Sequence, residues 1–177
     1  MLAVEDIKVN LNESKKEVYT SKRFLILAIF SLCQIMNCMA WMQFAGIINK
    51  MIFAYEHDGC TIGKLNYMSF SYMIMFAPVN FFATWYTDTR GMRPTLIIGV
   101  ALQCVGFWIR TLANTSFSTV VIGQSIIAIG QPFIYNLSAE ISAVWFPKNE
   151  RVISTTIAVN MAIVGCIAGF FLPIVMV

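Results

Sequence analysis

Gln34, Asn37 and Trp41 stand at i, i+3 and i+7 in a run without charge from Phe24 to Ile48, and Phe44 continues the stripe. A second stripe, Gln124, Ala128, Gln131, Tyr135 and Ser138, advances by four, three, four and three residues. Amides and aromatic rings on one face of an apolar helix do one kind of chemistry well, which is binding. An indole face attracts a cation through its ring quadrupole, and an amide offers a hydrogen bond without burying a charge. Polar groups facing lipid are costly, so both stripes look into the protein or a water-filled cavity. By pattern alone Trp41 is either a ligand contact or an interfacial anchor. Gln131 is either a ligand contact or an interhelical bridge.

The remaining reactive residue types argue against covalent chemistry. There is no nucleophile–base pair, metal-ligand cluster or phosphate-cradling loop, so neither an enzyme nor a cofactor is expected. The five cysteines, Cys33, Cys38, Cys60, Cys104 and Cys166, show no CxxC or histidine-paired spacing and read as small core hydrophobes. Only Cys60, in a loop, could pair. His57, between Glu56 and Asp58, reads as a solvated loop residue. Glu140 lies eight residues before Lys148, near a membrane boundary. An intramembrane acid is a functional candidate, but here a structural ion pair with Arg90 or Arg151 is expected. Glu150 and Arg151 should close the adjacent turn.

The elements that position these residues follow from composition. With 177 residues, 58% hydrophobic and 12% charged, the chain is far more apolar than a soluble domain. Its mean hydropathy is +0.72. About 20 apolar residues cross a hydrocarbon core of about 30 Å, and five such runs are expected: 24–48, 65–86, 95–112, 117–144 and 152–177. The fold class is therefore all-α and polytopic, with the lipid bilayer as its solvent. Residues 1–23 form a mobile tail, and Pro78 should kink the second span. Gly165 and Gly169 make a GxxxG pair suited to close helix packing. Asn12-Glu13-Ser14 and Asn114-Thr115-Ser116 match the glycosylation pattern; the first should be idle in the cytoplasm, the second too near the membrane for ready occupancy.

Nine of the twelve Lys and Arg fall in residues 1–23, 88–93 and 148–151. The other three, Lys50, Lys64 and Arg110, belong to the opposite side, which places the N-terminus in the cytoplasm. The clusters are thus topology signals, and the net charge of +3 implies no nucleic-acid partner. The chain stops inside the apolar run Phe171 to Val177, so a piece of a longer transporter is expected.

The turn after the second span carries a resemblance. Asp88, Gly91 and Arg93 fit the Asp-x-x-Gly-x-Arg signature of the major facilitator superfamily, with the glycine permitting a tight turn and Asp88, Arg90 and Arg93 forming a charged cytoplasmic latch. Four stretches resemble, within that superfamily, the feline leukaemia virus subgroup C receptor family: Asn37 to Gln43, Pro78 to Arg93, Gln103 to Arg110, and Gly130 through Pro173. The resemblance implies the N-terminal bundle of a facilitator for choline, ethanolamine or haem, with a second bundle to complete it and alternating access as its mechanism. It also implies substrate contacts at Trp41 and Gln131. Gln34, Asn37, Gln124 and Tyr135 then line or support the cavity. The alternative is a truncated, transport-incompetent membrane protein that binds a partner through its fifth helix.

Overall fold

The computed structural model describes residues 2–55, 62–111 and 117–176. Seven α-helices and a short 3-10 turn account for these residues, and no strand occurs among them. Helix α1 spans Leu2–Met42, and the 3-10 turn Ala45–Ile47 leads into α2, Ile48–Ala54. Helix α3 is Ile62–Arg90, α4 Met92–Thr111, α5 Phe117–Tyr135, α6 Leu137–Trp145 and α7 Arg151–Met176. The residues ahead of Phe24, expected as a tail, have helical backbone continuous with the first span. Glu56, His57, Asp58, Cys60 and the Asn114 sequon lie outside the described residues, as do the side chains around Asn12.

Among the described residues four segments are long and apolar enough to cross a membrane: Lys22–Phe53, Met92–Thr111, Phe117–Trp145 and Arg151–Met176. The expected second span is a helix of 29 residues, but Asn66, Ser69, Ser71, Asn80, Thr84 and Thr87 make α3 less apolar than its neighbours. The fold is that of an all-α polytopic membrane protein. Outward faces agree: Phe24, Leu25, Ile29, Leu32 and Met36 of α1 are all exposed. In lipid such exposure is the natural state of an apolar side chain.

Helix α3 runs through Pro78 without interruption, whereas the fourth span breaks into α5 and α6 at Asn136. Pro132 lies inside α5, and the N–H it lacks would bond the Ala128 carbonyl, upstream of the break. The Asn136 N–H closes onto the Pro132 carbonyl at 3.3 Å before α6 starts. The joint between α3 and α4 is a single residue, Gly91, whose φ of +87° suits glycine. Its N–H donates to the Thr87 carbonyl at 2.8 Å, and Thr95 Oγ1 donates to the Gly91 carbonyl at 2.9 Å.

Two helix pairs form the frame, α1 on α7 and α4 on α5, with α3 packed on α5. Both pairs depend on missing side chains. A Cβ on Gly165 or Gly169 would lie 2.8 Å from the Cα of Ile35 or Met39, respectively, so the GxxxG pair seats α7 directly against the α1 backbone. Between α4 and α5, a Cβ on Gly123 would lie 2.8 Å from the Gly106 carbonyl oxygen. The apolar core has three parts: Leu27, Phe30, Leu137 and Phe146 at one end, Ala40, Tyr72 and Ile127 in the middle, and Phe44, Leu65 and Phe117 at the other.

Candidate functional site

A ladder of buried amides runs along the inner face of α1. Gln34 Nε2 donates to Ser138 Oγ at 2.9 Å, tying α1 to α6. Asn37 Oδ1 accepts from Gln103 Nε2 at 2.6 Å, tying α1 to α4. Gln124 Nε2 donates to the Ala40 carbonyl at 3.2 Å, tying α1 to α5. At the break in the fourth span, Asn136 Nδ2 donates to Asn80 Oδ1 at 2.5 Å and holds α3. Each bond satisfies a group that is costly to bury alone, and together they fix the rotation of α1. Gln34, Asn37 and Gln124 are therefore interhelical ties, and none of them lines the cavity that the helices enclose.

That cavity, about 210 Å³, is lined by Trp41, Tyr72, Met73, Phe76 and Gln131. The two residues from the separate sequence stripes meet here across α1 and α5. Trp41 Nε1 donates to the Ser69 carbonyl at 3.3 Å, which fixes the indole, and its ring stacks on Tyr72 with centroids 6.3 Å apart and planes 22° apart. Tyr135 is not part of that wall; it meets Phe76 edge-on at 6.1 Å. Among the described residues Tyr72 Oη and Gln131 Oε1 are buried without a hydrogen-bond partner, as are Gln34 Oε1, Asn37 Nδ2 and Gln124 Oε1 in the ladder. Aromatic faces beside two unmet polar atoms can hold a cation and orient a hydroxyl.

At the end of the bundle where α3 turns into α4, a cavity of about 540 Å³ is bounded by Arg90, Gly91, Met92, Arg93, Glu140 and Ala143, among others. Asp88 is exposed at the same turn. These features stand beside the sequence comparisons. The Major Facilitator Superfamily matches residues 24–177. The chain belongs to the major facilitator superfamily. Choline/ethanolamine transporter FLVCR1 of Mus musculus is 35% identical over 158 residues, which is 88% of this chain and 28% of that protein. Choline/ethanolamine transporter FLVCR2 of Homo sapiens is 29% identical over 158 residues, 88% of this chain and 30% of that protein. Solute carrier family 49 member A3 of Xenopus tropicalis is 31% identical over 147 residues, 77% of this chain and 30% of that protein. The chain thus spans under a third of the length of these curated relatives.

In this major facilitator chain the charged residues pair differently from expectation. Glu150 bonds Arg23, with Oε2 2.9 Å from Nη1, and does not pair with Arg151. Arg23 also lies over the rings of Phe24 and Phe146, at 4.8 and 5.4 Å, so it clips the start of the first span to the turn after the fourth. Arg151 closes that turn through the backbone instead, Nε donating to the Phe146 carbonyl at 3.1 Å. Glu140 faces the same cavity as Arg90 and Arg93 but makes no ion pair within 4.0 Å among the described residues.

Three wall residues, Tyr72, Met73 and Phe76, escaped the sequence reading. Two aromatic rings at i and i+4 were a usable signal, but in a helix that also carries Phe70, Phe81, Phe82 and Trp85 it does not stand out.

Proposed function

We propose that this chain contributes to transport of a small organic cation, choline or ethanolamine, and that Trp41, Tyr72, Phe76 and Gln131 hold that cation during alternating access. The observation that carries this reading is the cavity itself, where an indole, a phenol and a phenyl ring converge beside an unpartnered amide oxygen. A quaternary ammonium gains about 2 kcal/mol from each well-placed aromatic face when desolvated. The hydroxyl shared by choline and ethanolamine can donate to Gln131 Oε1 or accept from Tyr72 Oη. The names of FLVCR1 and FLVCR2 point to the same solutes.

Haem fits this wall less well. It is a broad macrocycle bearing two carboxylates, and no cationic side chain lines the cavity. A second bundle facing this one would complete the site, and rocking of the two bundles would expose it to each side in turn.

The test is uptake of labelled choline and of haem by cells expressing the full-length form, with Trp41→Ala and Gln131→Ala beside it. Loss of about 2 kcal/mol at Trp41 corresponds to about thirtyfold weaker choline binding. Choline uptake that survives both substitutions unchanged rejects this pocket.

A further inference from the structure

The end of the bundle away from the Asp88–Arg93 turn contains a buried cation that the transport reading does not use. Arg110, in the last turn of α4, is only 9% exposed. Its guanidinium lies over the rings of Phe44 and Phe107, 4.6 and 5.6 Å from their centroids. Ring faces attract the charge but accept no ordinary hydrogen bond from its five N–H groups. Among the described residues no carboxylate lies within 4.0 Å of it, and Nη1 is buried with no hydrogen-bond partner. A buried guanidinium without an anion is a costly arrangement, since breaking such a pair leaves the charge uncompensated.

The missing group has a place to sit. Arg110 opens onto a cavity of about 330 Å³, whose walls include Gln43, Phe44, Met51, Phe107 and Val120. Tyr55 and Thr111 complete the wall, which combines one cation, one amide and two hydroxyl-bearing side chains with a largely apolar surface. We propose that this cavity binds an amphiphilic anion, with a carboxylate or phosphate group on Arg110 and Gln43 and its apolar body along Met51, Phe107 and Val120. The planar guanidinium fork matches two oxygens of such a group. A small, fully hydrated anion would leave the apolar wall unused. The same chemistry describes a lipid headgroup from the adjoining leaflet or a free amphiphilic acid, and no second copy of the chain is needed for either.

The test uses the purified full chain in phosphatidylcholine nanodiscs, with Tm followed by intrinsic fluorescence. The probes are phosphatidylglycerol added to the bilayer, octanoate in solution and inorganic phosphate in solution. A ligand that binds the native state raises Tm. A rise with phosphatidylglycerol alone identifies a lipid site, and a rise with octanoate in pure phosphatidylcholine identifies a free amphiphile; inorganic phosphate should act least. Arg110→Gln should abolish the rise. Met51→Trp fills the apolar wall away from the charge and should weaken the apparent affinity about tenfold; it decides the matter alone if Arg110→Gln does not fold. No rise in the wild-type chain with any probe, or an equal rise in both variants, overturns the proposal.

Discussion

Tyr72 joins a buried, stacked ring to an unmet hydroxyl. It is 1% exposed, stacked on Trp41, and its hydroxyl has no partner among the described residues. An unmet buried hydroxyl costs about 1–3 kcal/mol, so Tyr72→Phe should raise Tm of the unliganded protein. The same substitution should weaken choline binding by about fivefold, because a hydrogen bond to the ligand is lost while the ring face is kept. Opposite signs in the two measurements, thermal unfolding and equilibrium binding, distinguish a binding hydroxyl from a structural one. A fall in Tm with unchanged affinity would assign Tyr72 to packing. Trp41 and Gln131 were singled out by their helical stripes and, as substrate contacts, by the family resemblance, and the structure places both on the wall of one cavity. Tyr72 and Phe76 were not, because their role depends on which face of α3 turns inward. Glu150 and Arg23 were equally hidden, lying 127 residues apart in the chain and 2.9 Å apart in space.

Among the elements, the five long helices and the charged turn were readable, since unbroken apolar length and a short polar connection are local properties. The break at Asn136 was not read, because the residues on either side of it remain apolar and helical. The glycine contacts decide how closely the helices approach. Gly165→Ala would set a methyl group against the Ile35 backbone, which cannot rotate away as a side chain can. Overpacking of this kind costs about 1–3 kcal/mol, so α7 should separate from α1 and Tm should fall. Gly63→Ala is the control: nothing lies within 4 Å of its new methyl group, and stability should hold or rise by a few tenths of a kcal/mol. Equal destabilisation by both substitutions would mean that backbone freedom, and not close approach, sets the requirement at Gly165.

At the scale of the molecule, the charges define two ends. Arg23 and Glu150 are bonded at one end, where Arg90, Arg93 and Glu140 also gather around a shared cavity. At the other end the sequence counts Lys50, Lys64 and Arg110, but only the two lysines are exposed, while Arg110 is buried against aromatic rings. A buried arginine facing a cavity is a poor topology signal, so the bias of nine cations to three is better taken as nine to two. Positive residues are retained on the cytoplasmic side, and we therefore expect the Arg23–Glu150 end to face the cytoplasm. Single cysteines at the exposed positions Lys148 and Lys64, introduced in a background with all five native cysteines replaced, test this with a membrane-impermeant maleimide. Lys64→Cys should be labelled in intact cells, and Lys148→Cys only after permeabilisation. The reverse pattern would invert the bundle and move the Asp88–Arg93 latch to the outer face. It would also transfer the Arg110 cavity to the cytoplasmic leaflet, where anionic lipids are concentrated. One labelling experiment thus fixes which leaflet can supply that cavity.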